Sequence, residues 1–372
     1  MECFTVLVTG GAGFIGSHLV DALIDNGHRV RVLDSIVPQV HRDGKARHIN
    51  RDAEFITGDI RNGDVVERAL DGVEVVFHQA AEVGVGQSMY DIERYVSANT
   101  LGTATLLQQM SDRRHLIKKM IVASSMSIYG EGAYTCRDCG NVYPHTRPPA
   151  QLARRQWDPT CPSCGLPLLP APTAESKPLF PTSVYAMTKL DQEQLCLLVG
   201  RAYEIPTIAL RYFNVYGSRQ ALSNPYTGLC AIVFSRLLNG RSPVIFEDGK
   251  QARDFVHVSD IVRANLLAME STAEFTALNI GTGIATSVNE VTSMLSVGLG
   301  VEISAERVGK YREGDIRHCV ADISLAEQLI GYRPTKRLAD GIHELLEWVR
   351  EESAEDKSAE AQRELEMRQL VR

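Results

Sequence analysis

The sequence predicts an α/β fold built on a doubly wound parallel sheet. Three observations in the first half of the chain support this class: short apolar runs alternate with stretches of helical period, the first apolar run is continuous, and a glycine-rich turn joins that run to the first helix. Parallel strands are linked by helical crossovers and buried on both faces, and this burial produces continuous apolar runs between helices.

A local sequence pattern predicts each of the first three elements, which are a strand, a helix and a second strand. Residues 4–8 (FTVLV) form a continuous apolar run, which is typical of a strand buried on both faces. Phe14–Asp25 carries its apolar residues on one stripe, which predicts a helix. Asn26 and Gly27 end this helix, and residues 29–33 (RVRVL) supply the next strand.

The same alternation continues as far as residue 124. We predict strands at residues 54–57, 73–78 and 120–124, with helices at residues 61–70 and 92–110. Strands separated by helices form βαβ units, so we expect one parallel sheet.

Composition excludes several classes of protein. The chain has 372 residues, 44% hydrophobic and 23% charged, which is typical of globular proteins and long enough for two domains. The formal net charge of −7 argues against a nucleic-acid partner or an anionic membrane surface. No apolar run reaches the ~20 residues of a membrane span, and the first residues lack a signal-peptide pattern. We therefore expect a cytoplasmic protein with no membrane partner.

The glycine-rich turn predicts a dinucleotide site. Gly10, Gly13 and Gly16 lie between the first strand and the first helix, where they permit a tight turn and close approach of a pyrophosphate to the helix N-terminus. Asp34 ends the second strand, where a carboxylate would accept hydrogen bonds from the adenosine ribose and repel a 2′-phosphate. NAD is therefore favoured over NADP, although Lys45 and neighbouring arginines at positions 42 and 47 leave NADP open.

Candidate catalytic residues follow the fifth strand and begin a later helix. Tyr185 and Lys189 are four residues apart and share a helix face, where a protonated lysine would lower the pKa of the phenol and make it a usable base. Ser124 and Ser125 end an apolar strand, and hydroxyls at that end of a parallel sheet face the ligand crevice. The alternatives are an amphipathic helix with an exposed lysine and a serine-rich turn.

Together these motifs resemble the extended short-chain dehydrogenase/reductase family, in its nucleotide-sugar epimerase/dehydratase branch, over nearly all of residues 3–350 apart from a cysteine-rich insert. The resemblance implies a Rossmann-type sheet and a smaller α/β domain for the substrate. The further motifs occur in the order of the family: Asp59-Ile60, His78-Gln79-Ala80-Ala81, NTLGT at 99–103, RYFNVYG at 211–217, RDFVHVSD at 253–260, NIGTG at 279–283 and REGD at 312–315.

The resemblance also implies roles for individual residues. Tyr185 would be the acid and base on a sugar hydroxyl, Ser125 would bond the same hydroxyl, and Lys189 would hold the nicotinamide ribose. The alternative for each residue is a surface or structural polar side chain. The implied NAD site comprises Gly10, Gly13, Phe14, Ile15, Gly16, Asp34, Asp59, Ile60, Gln79, Ala80, Ala81, Asn99, Ser124, Tyr185 and Lys189. The implied substrate site comprises Ser125, the diphosphate-binding Asn214, Arg253 and Arg312, and also Asp315 and Cys319.

The residues after Ser125 favour epimerisation over dehydration. Dehydratases of this branch carry an Asp-Glu pair there, because elimination of water needs an additional acid and base, whereas this chain has Met126 and Ser127. The expected reaction is 4-epimerisation with transient oxidation at C4 and unchanged NAD at the end. Similarity to bacterial family members acting on dTDP-L-rhamnose favours that sugar, with dTDP-6-deoxy-L-talose as product. UDP-glucose and UDP-glucuronate 4-epimerases are the alternatives, ahead of a dehydratase or an NAD-binding scaffold.

Four of the eight cysteines form two pairs that predict a structural zinc site. Cys136 and Cys139, and Cys161 and Cys164, are each separated by two residues and followed by glycine, as in a zinc ribbon. Disulfides and redox thiols are the alternatives, both disfavoured in a reducing cytoplasm. A ribbon could also recognise nucleic acid, and Arg147, Arg154, Arg155 and Trp157 give that alternative some support, but the net charge and the intact Tyr, Lys and Ser set argue for an enzyme.

The expected organisation follows from these assignments. We predict an NAD-binding domain from residues 1–215 and 254–280, and a nucleotide-sugar domain from residues 216–253 and 281–350. A zinc-ribbon-like insert with the four paired cysteines occupies residues 132–172, and its position in the chain predicts that it shapes a wall of the sugar pocket. We expect residues 351–372 to form an exposed, fraying, charged tail without function. Helices near residues 92–110 and 182–203 correspond to those that pair in dimers of the family, which implies a homodimer unless their apolar residues are core.

Overall fold

A computed structural model describes residues 2–372, apart from the side chain of Asp43, and its centre is a seven-stranded parallel sheet. The strands of the chain are β1 (Thr5–Thr9), β2 (Arg29–Asp34), β3 (Glu54–Thr57), β4 (Val75–His78), β5 (Lys119–Ser125), β6 (Ala133–Cys136), β7 (Gly140–Val142), β8 (Leu169–Ala171), β9 (Thr207–Tyr212), β10 (Asn214–Tyr216), β11 (Val244–Ile245), β12 (Ala252–Arg253), β13 (Phe255–His257), β14 (Thr276–Ile280), β15 (Thr286–Ser287), β16 (Glu306–Arg307) and β17 (His318–Cys319).

Thirteen α-helices accompany these strands in the described part of the chain. They are α1 (Phe14–Asp25), α2 (Gly63–Ala69), α3 (Val85–Ser88), α4 (Ile92–Tyr95), α5 (Gly102–Ser111), α6 (Pro149–Ala153), α7 (Val184–Tyr203), α8 (Leu229–Leu238), α9 (Val258–Glu270), α10 (Val288–Leu299), α11 (Ser324–Ile330), α12 (Leu338–Glu351) and α13 (Ser358–Met367). Among the residues described, no helix combines the length and the apolar character needed to cross a membrane.

The strand order of the main sheet confirms the predicted doubly wound topology. The order is β14-β9-β5-β4-β1-β2-β3, and all neighbouring pairs are parallel. The chain runs outward from β1 in one direction through β2 and β3, and then in the other direction from β4. Such a switch point opens a crevice at the carboxyl ends of the two central strands, here at Thr9 and His78.

Core packing explains the continuous apolar run at the start of the chain. Val6 and Val8 of β1 pack into the core on one face of the sheet, and Leu7 packs into the core on the other face. All three are fully buried. A strand covered by helices on both faces has no solvent side, so polar alternation is absent from it.

A second core lies outside the main sheet. Helices α8, α10 and α12 surround Phe234, Leu295 and Leu345, which are buried together. Short strands accompany these helices, with β12 pairing with both β15 and β17. The domain limits given above remain predictions.

The cysteine-rich insert has its own small sheet. Strands β7, β6 and β8 are antiparallel neighbours in that order. Their core includes Tyr134, Val142 and Leu168 together with two of the cysteines, Cys136 and Cys161. A core of this size gives little burial, so the insert has little hydrophobic stabilisation of its own.

The predicted helix at residues 92–110 is interrupted. α4 leads into a π-helical stretch, Val96–Leu101, before α5 begins. The side chain of Asn99 in this stretch is fully buried: its Oδ1 accepts a hydrogen bond from the Glu82 backbone N–H at 2.7 Å, and its Nδ2 donates to Thr188 Oγ1 at 2.9 Å. A π-helical turn is uncommon and often occurs at functional sites.

The prediction of an exposed, fraying C-terminal tail is wrong. Helix α13 packs against the protein, and Ala361, Leu365 and Val371 are each only 7% exposed. The segment has few apolar residues, but Ala361 and Leu365 are four residues apart and therefore share the helix face that is buried.

Candidate active site

Tyr185 and Ser125 meet where helix α7 begins beside the end of β5. Ser183 caps α7, its Oγ accepting from the Ala186 N–H at 3.1 Å, so Tyr185 lies in the first turn. The Tyr185 backbone N–H donates to Ser88 Oγ at 2.9 Å. Burial raises the pKa of Tyr185, and a hydrogen bond donated by the Ser125 hydroxyl partly offsets that rise. The two hydroxyls therefore form one polar site at the start of α7.

Lys189 is buried one turn further along α7. Its Nζ donates to Gln192 Oε1 at 2.8 Å, and burial lowers the pKa of the amine to about 8. The sequence interpretation was that Lys189 would lower the pKa of Tyr185. The structure corrects this, because the pKa of Tyr185 is raised by burial and the amine is paired with Gln192.

Gln192 is a buried residue that sequence reasoning missed. Its Nε2 donates to Thr103 Oγ1 at 2.9 Å and lies 3.1 Å from His78 Nε2. Burial, with the neighbouring charge of Lys189, lowers the pKa of His78 to about 3. His78 is therefore a neutral structural residue. The available signal for Gln192 was its spacing of three residues from Lys189, which puts both on one helix face.

The glycine-rich turn leaves no room for side chains at two positions. Gly10 has φ +70, and a Cβ there would lie 2.7 Å from the Ala80 backbone nitrogen. A Cβ at Gly16 would lie 2.2 Å from the Gly10 carbonyl oxygen. Gly13 is the N-cap of α1, and within the described residues no side chain caps this helix. The N–H groups of its first turn, at Phe14 and Ile15, are therefore available to an anion.

Asp34 ties the end of β2 to the glycine-rich turn. Its Oδ2 accepts from the Ala12 N–H at 3.0 Å, and its Oδ1 accepts from the Ile36 N–H at 2.9 Å. Beside Ala12 opens a cavity of about 510 Å³, which Arg42 and Lys45 help to line. The carboxylate of Asp34 is thus fixed next to Ala12, which lines this cavity.

The structure separates Ser124 from Ser125. The Ser124 hydroxyl is buried and donates to Glu193 Oε2 at 2.7 Å, and Glu193 also forms an ion pair with Arg211 at 2.7 Å. Neighbouring residues of a strand point to opposite faces. The side chain of Ser124 therefore belongs to a buried network, and the prediction that it faces the cofactor is not supported for the side chain.

The other predicted cofactor residues lie at the ends of β3 and β4. Asp59 follows β3 and accepts from Arg61 Nε at 2.9 Å, a contact that lowers the pKa of Asp59. Ile60 packs beneath Gly102, where a Cβ would come within 2.5 Å of its side chain. Gln79 follows β4, donates through Nε2 to Tyr212 OH at 3.0 Å, and precedes Ala80 and Ala81.

Three predicted substrate residues are brought together by short strands. Arg253 of β12 is paired in register with Cys319 of β17, and its guanidinium donates to the carbonyl oxygens of Ile316 and Arg317. The Cys319 thiol is buried, which raises its pKa to about 12. Asn214 begins β10 nearby, and among the described residues its buried Oδ1 has no hydrogen-bond partner. An amide with an unused polar atom is available to a ligand.

Arg312 and Asp315 lie in the loop that precedes β17. Arg312 Nε donates to Asp315 Oδ2 at 2.7 Å, and the guanidinium lies 4.7 Å from the centre of the Phe246 ring. The Gly314 carbonyl oxygen of the same loop accepts from Thr182 Oγ1 at 2.8 Å. Since Thr182 precedes α7, this contact places the Arg312 loop beside the start of the helix that carries Tyr185.

The four paired cysteines converge as predicted. The sulfur atoms of Cys136, Cys139, Cys161 and Cys164 all lie within 4.8 Å of one another, and those of Cys136 and Cys164 are 3.5 Å apart. A tetrahedral zinc ion with bonds of ~2.3 Å separates its sulfur ligands by ~3.8 Å. The glycines that follow each pair have positive φ values of 73 and 76 degrees, which turn the backbone around the cluster.

Buried ion pairs connect the insert to the loops of the substrate site. Arg147 Nη2 of the insert donates to Glu247 Oε1 at 2.8 Å and to the Asp315 carbonyl oxygen at 3.0 Å. Arg317 joins the same Glu247 and binds Asp158 of the insert at 2.8 Å. Because Arg147 is buried, it is unavailable for the nucleic-acid contact weighed in the sequence analysis. Sequence reasoning missed this network.

Comparison with known proteins gives a consistent result. The sequence model of the NAD dependent epimerase/dehydratase family matches residues 6–150 and 165–281. The chain is 34% identical over 352 residues to dTDP-L-rhamnose 4-epimerase of Burkholderia thailandensis, covering 93% of this chain and 95% of that protein. It is 36% identical over 347 residues to a putative UDP-glucose 4-epimerase of Methanocaldococcus jannaschii, covering 93% and 98%. The solved structure of Thermus thermophilus UDP-glucose 4-epimerase in complex with NAD matches with a TM-score of 0.75 and 28% identity, covering 94% of this chain and 100% of that one.

Proposed function

We propose that this chain, which belongs to the NAD-dependent epimerase/dehydratase family and is an NAD-dependent nucleotide-sugar 4-epimerase, converts dTDP-L-rhamnose into dTDP-6-deoxy-L-talose. The relative from B. thailandensis supports this sugar, since the two chains align over 93% of this one and 95% of the other. The reaction inverts one carbon and leaves NAD unchanged.

One observation carries the choice of epimerisation over dehydration. Ser125 bonds Tyr185, and the next two positions provide no acid: Met126 is packed into the core, and the Ser127 hydroxyl donates back to Ser125 Oγ at 2.9 Å. Elimination of water from a sugar needs a further acid and base beside the reacting hydroxyl. Proton exchange at a single hydroxyl needs only Tyr185 and Ser125.

The residues present at the glycine-rich turn fit NAD. The backbone at Gly10, Gly13 and Gly16 would hold the pyrophosphate, because side chains are excluded there and the N-terminus of α1 is uncapped by any described side chain. Asp34 would hold the adenosine ribose, and Lys189 the nicotinamide ribose. Bound NAD supplies acceptance and return of a hydride at C4 of the sugar.

The proton is handled by the chain itself. Tyr185 would take the proton of the C4 hydroxyl as that carbon is oxidised and return it to the same oxygen on reduction, while Ser125 bonds that oxygen in both states. Since one tyrosine serves both half-reactions, no net proton is consumed.

The diphosphate would be held by residues of three different segments. Arg312 and Arg253 offer planar guanidinium groups that match phosphate oxygens, and Asn214 would donate to the phosphate through its side-chain Nδ2. Cys319 would contact the sugar as a small protonated thiol, since burial raises its pKa to about 12. Asp315 would orient Arg312 through their ion pair.

UDP-glucose is the second candidate substrate. The relative from M. jannaschii is 36% identical over 98% of its own length, and the Thermus enzyme has a TM-score of 0.75. The experiment that distinguishes the two compares kcat/KM for dTDP-L-rhamnose, UDP-glucose and UDP-glucuronate on one preparation. The proposal expects the first to exceed the others by at least about tenfold, a difference of about 1.4 kcal/mol in transition-state binding. A higher value for either UDP-sugar would contradict it.

The four clustered cysteines would bind one structural zinc ion. Their sulfur atoms lie within 4.8 Å of one another, which supports tetrahedral coordination. The insert that they cross-link would then form a wall of the substrate site, because Arg147 and Asp158 reach from it to the loops that carry Asp315 and Arg317.

A homodimer would bury apolar side chains that α7 and the π-helical stretch Val96–Leu101 expose. Leu101, Met187 and Leu198 are exposed by 54%, 50% and 60%. A row of such residues on neighbouring helices favours pairing with a second copy. Light scattering on Leu198→Glu should give monomers where the unmodified protein gives dimers, and a monomeric unmodified protein would contradict the assignment.

A further inference from the structure

The last three residues of the chain pair with the loop that carries Arg312. The Tyr311 N–H donates to the Arg372 carbonyl oxygen at 2.8 Å, and the Arg372 N–H donates to the Tyr311 carbonyl oxygen at 3.0 Å. The Glu313 N–H donates to the Leu370 carbonyl oxygen at 2.9 Å, and Arg312 is bridged antiparallel to Val371. The backbone on both sides of Arg312 is therefore held by the C-terminus.

The same loop contacts the start of the catalytic helix on its other side. The Gly314 carbonyl oxygen accepts from Thr182 Oγ1, and a Cβ at Gly314 would lie 2.7 Å from the Thr182 carbonyl oxygen. The Arg312 loop is thus confined between the C-terminal residues and the segment that leads into Tyr185.

Helix α13 braces a second wall of the same site. Leu365 packs on Gly86, where a Cβ would lie 3.4 Å from its side chain, and the Arg368 guanidinium lies 4.5 Å from the centre of the Tyr90 ring. Ser88, between those two residues, accepts the hydrogen bond of the Tyr185 backbone N–H. One C-terminal segment therefore supports two elements that contact the beginning of α7.

We propose that residues 358–372 are a positioning segment of the active site, which holds Arg312 and the loop around Ser88 in the geometry that binds the substrate diphosphate. This inference rests on the proposed role of Arg312. This role differs from a purely structural one, because the pairing at residues 370–372 fixes the backbone of Arg312, which would bind the diphosphate. Loss of the pairing should therefore weaken nucleotide binding without lowering the stability of the fold.

Residues 355 and 356, which precede this segment, anchor it to the protein independently of residues 370–372. The pairing of residues 370–372 can therefore be removed on its own. The Asp356 carboxylate lies 3.0 Å from Arg241 and 3.9 Å from Arg236, and the Glu355 N–H donates to Ser223 Oγ at 2.9 Å. Removal of residues 370–372 deletes the buried Val371 but none of these anchoring contacts, and Ala361 and Leu365 remain.

The test shortens the chain after Gln369 and measures nucleotide binding. In the NAD-loaded protein we expect the Kd for dTDP and UDP, measured by calorimetry, to rise about tenfold, as for a weakened charge-assisted contact with phosphate. NAD content and the thermal midpoint should stay close to those of the full chain. Arg363→Ala is the matched control, since it removes the same charge from an exposed position of α13. If the shortened chain fails to fold, Arg372→Pro takes its place. This variant deletes only one main-chain donor and should also raise the Kd for dTDP and UDP.

A double variant separates this inference from the proposed function. Arg312→Ala should weaken dTDP binding in the full chain and have little further effect in the shortened chain, because both changes remove one interaction. Additive effects of the two changes on the Kd would overturn the inference. So would a Kd that is unchanged on shortening while Arg312→Ala weakens binding. Unchanged binding in Arg312→Ala would overturn it together with the role of Arg312. Conversion of dTDP-L-rhamnose is measured separately on the unmodified chain, so its failure would overturn the proposed sugar and leave this inference standing.

Discussion

The guanidinium of Arg147 and the carboxylate of Glu247 form a buried ion pair of 2.8 Å, with both side chains no more than 3% exposed. Arg147 belongs to the cysteine-bearing insert, and Glu247 follows Phe246, whose ring lies against Arg312. Glu247 also has a positive φ of 55 degrees, which the surrounding contacts must maintain. A buried ion pair therefore links the insert to the loops of the substrate site.

Arg147→Met should destabilise the protein strongly. It leaves the Glu247 carboxylate buried with one cation fewer, and removal of one partner from a buried pair costs about 3–5 kcal/mol. Urea unfolding measures the free energy directly. Arg154→Met is the matched control, because Arg154 is exposed in the same insert and should change stability by less than about 0.5 kcal/mol. Equal stability of the two variants would show that the network contributes nothing.

Tyr185→Phe should abolish most turnover without loss of the cofactor. It removes the group that exchanges the proton of the C4 hydroxyl, so we expect kcat to fall by about 10³-fold. Ser125→Ala should cost less, about tenfold to a hundredfold, because it removes a supporting hydrogen bond. Steady-state kinetics and NAD content check both values. Tyr203→Phe, at the far end of the same helix, is the control, and a kcat in Tyr185→Phe equal to that of the control would refute the assignment.

Cys136→Ser should remove zinc from the purified protein. A serine hydroxyl is a poor zinc ligand, so we expect close to one equivalent of zinc by mass spectrometry in the unmodified protein and a clear loss in the variant. NAD content should not change, because the glycine-rich turn lies elsewhere. Cys3→Ser, which alters an exposed cysteine outside the cluster, serves as the control. Full zinc content in Cys136→Ser, or none in the unmodified protein, would contradict the proposed site.

Acid should destabilise the folded protein through His78. Burial lowers the pKa of His78 from 6.5 to about 3, so the unfolded chain binds a proton in this range and the folded chain does not. The contribution is complete above pH 6.5 and is lost as the pH falls toward 3. Between pH 7 and pH 5 the unmodified protein should therefore lose about 2 kcal/mol more stability than His78→Gln. Urea unfolding at both pH values tests this, and equal losses would show that His78 takes up a proton in the fold.

Local sequence patterns predicted the features that depend on neighbouring residues in the chain. The run at residues 4–8 and the glycine-rich turn were sufficient for the parallel sheet and the cofactor turn, because neighbouring residues set both. The convergence of the two cysteine pairs was also predictable, since spacing within each pair matches a metal ligand set. Tyr185 and Ser125 meet because a strand end and a helix start face one crevice.

Contacts between segments far apart in the chain could not be predicted from the sequence. Arg147 and Glu247 are 100 residues apart, and a lone arginine in a loop carries no signal of a buried partner. The C-terminal segment was misread because its low apolar content suggested exposure, whereas three well-placed apolar residues suffice to dock it. Tyr185 illustrates a different limit: its spacing to Lys189 is visible in the sequence, but burial determines the direction of the pKa shift.

The most direct test of the central claim is proton NMR of dTDP-L-rhamnose incubated with the enzyme in deuterated water. Transient oxidation at C4 within the enzyme predicts that the 6-deoxy-L-talose nucleotide appears with its H4 signal fully protonated, and with no net NADH. Epimerisation by abstraction of a carbon-bound proton would introduce solvent deuterium at the inverted carbon. Deuterium at that carbon, or an unchanged spectrum of dTDP-L-rhamnose, would contradict the account.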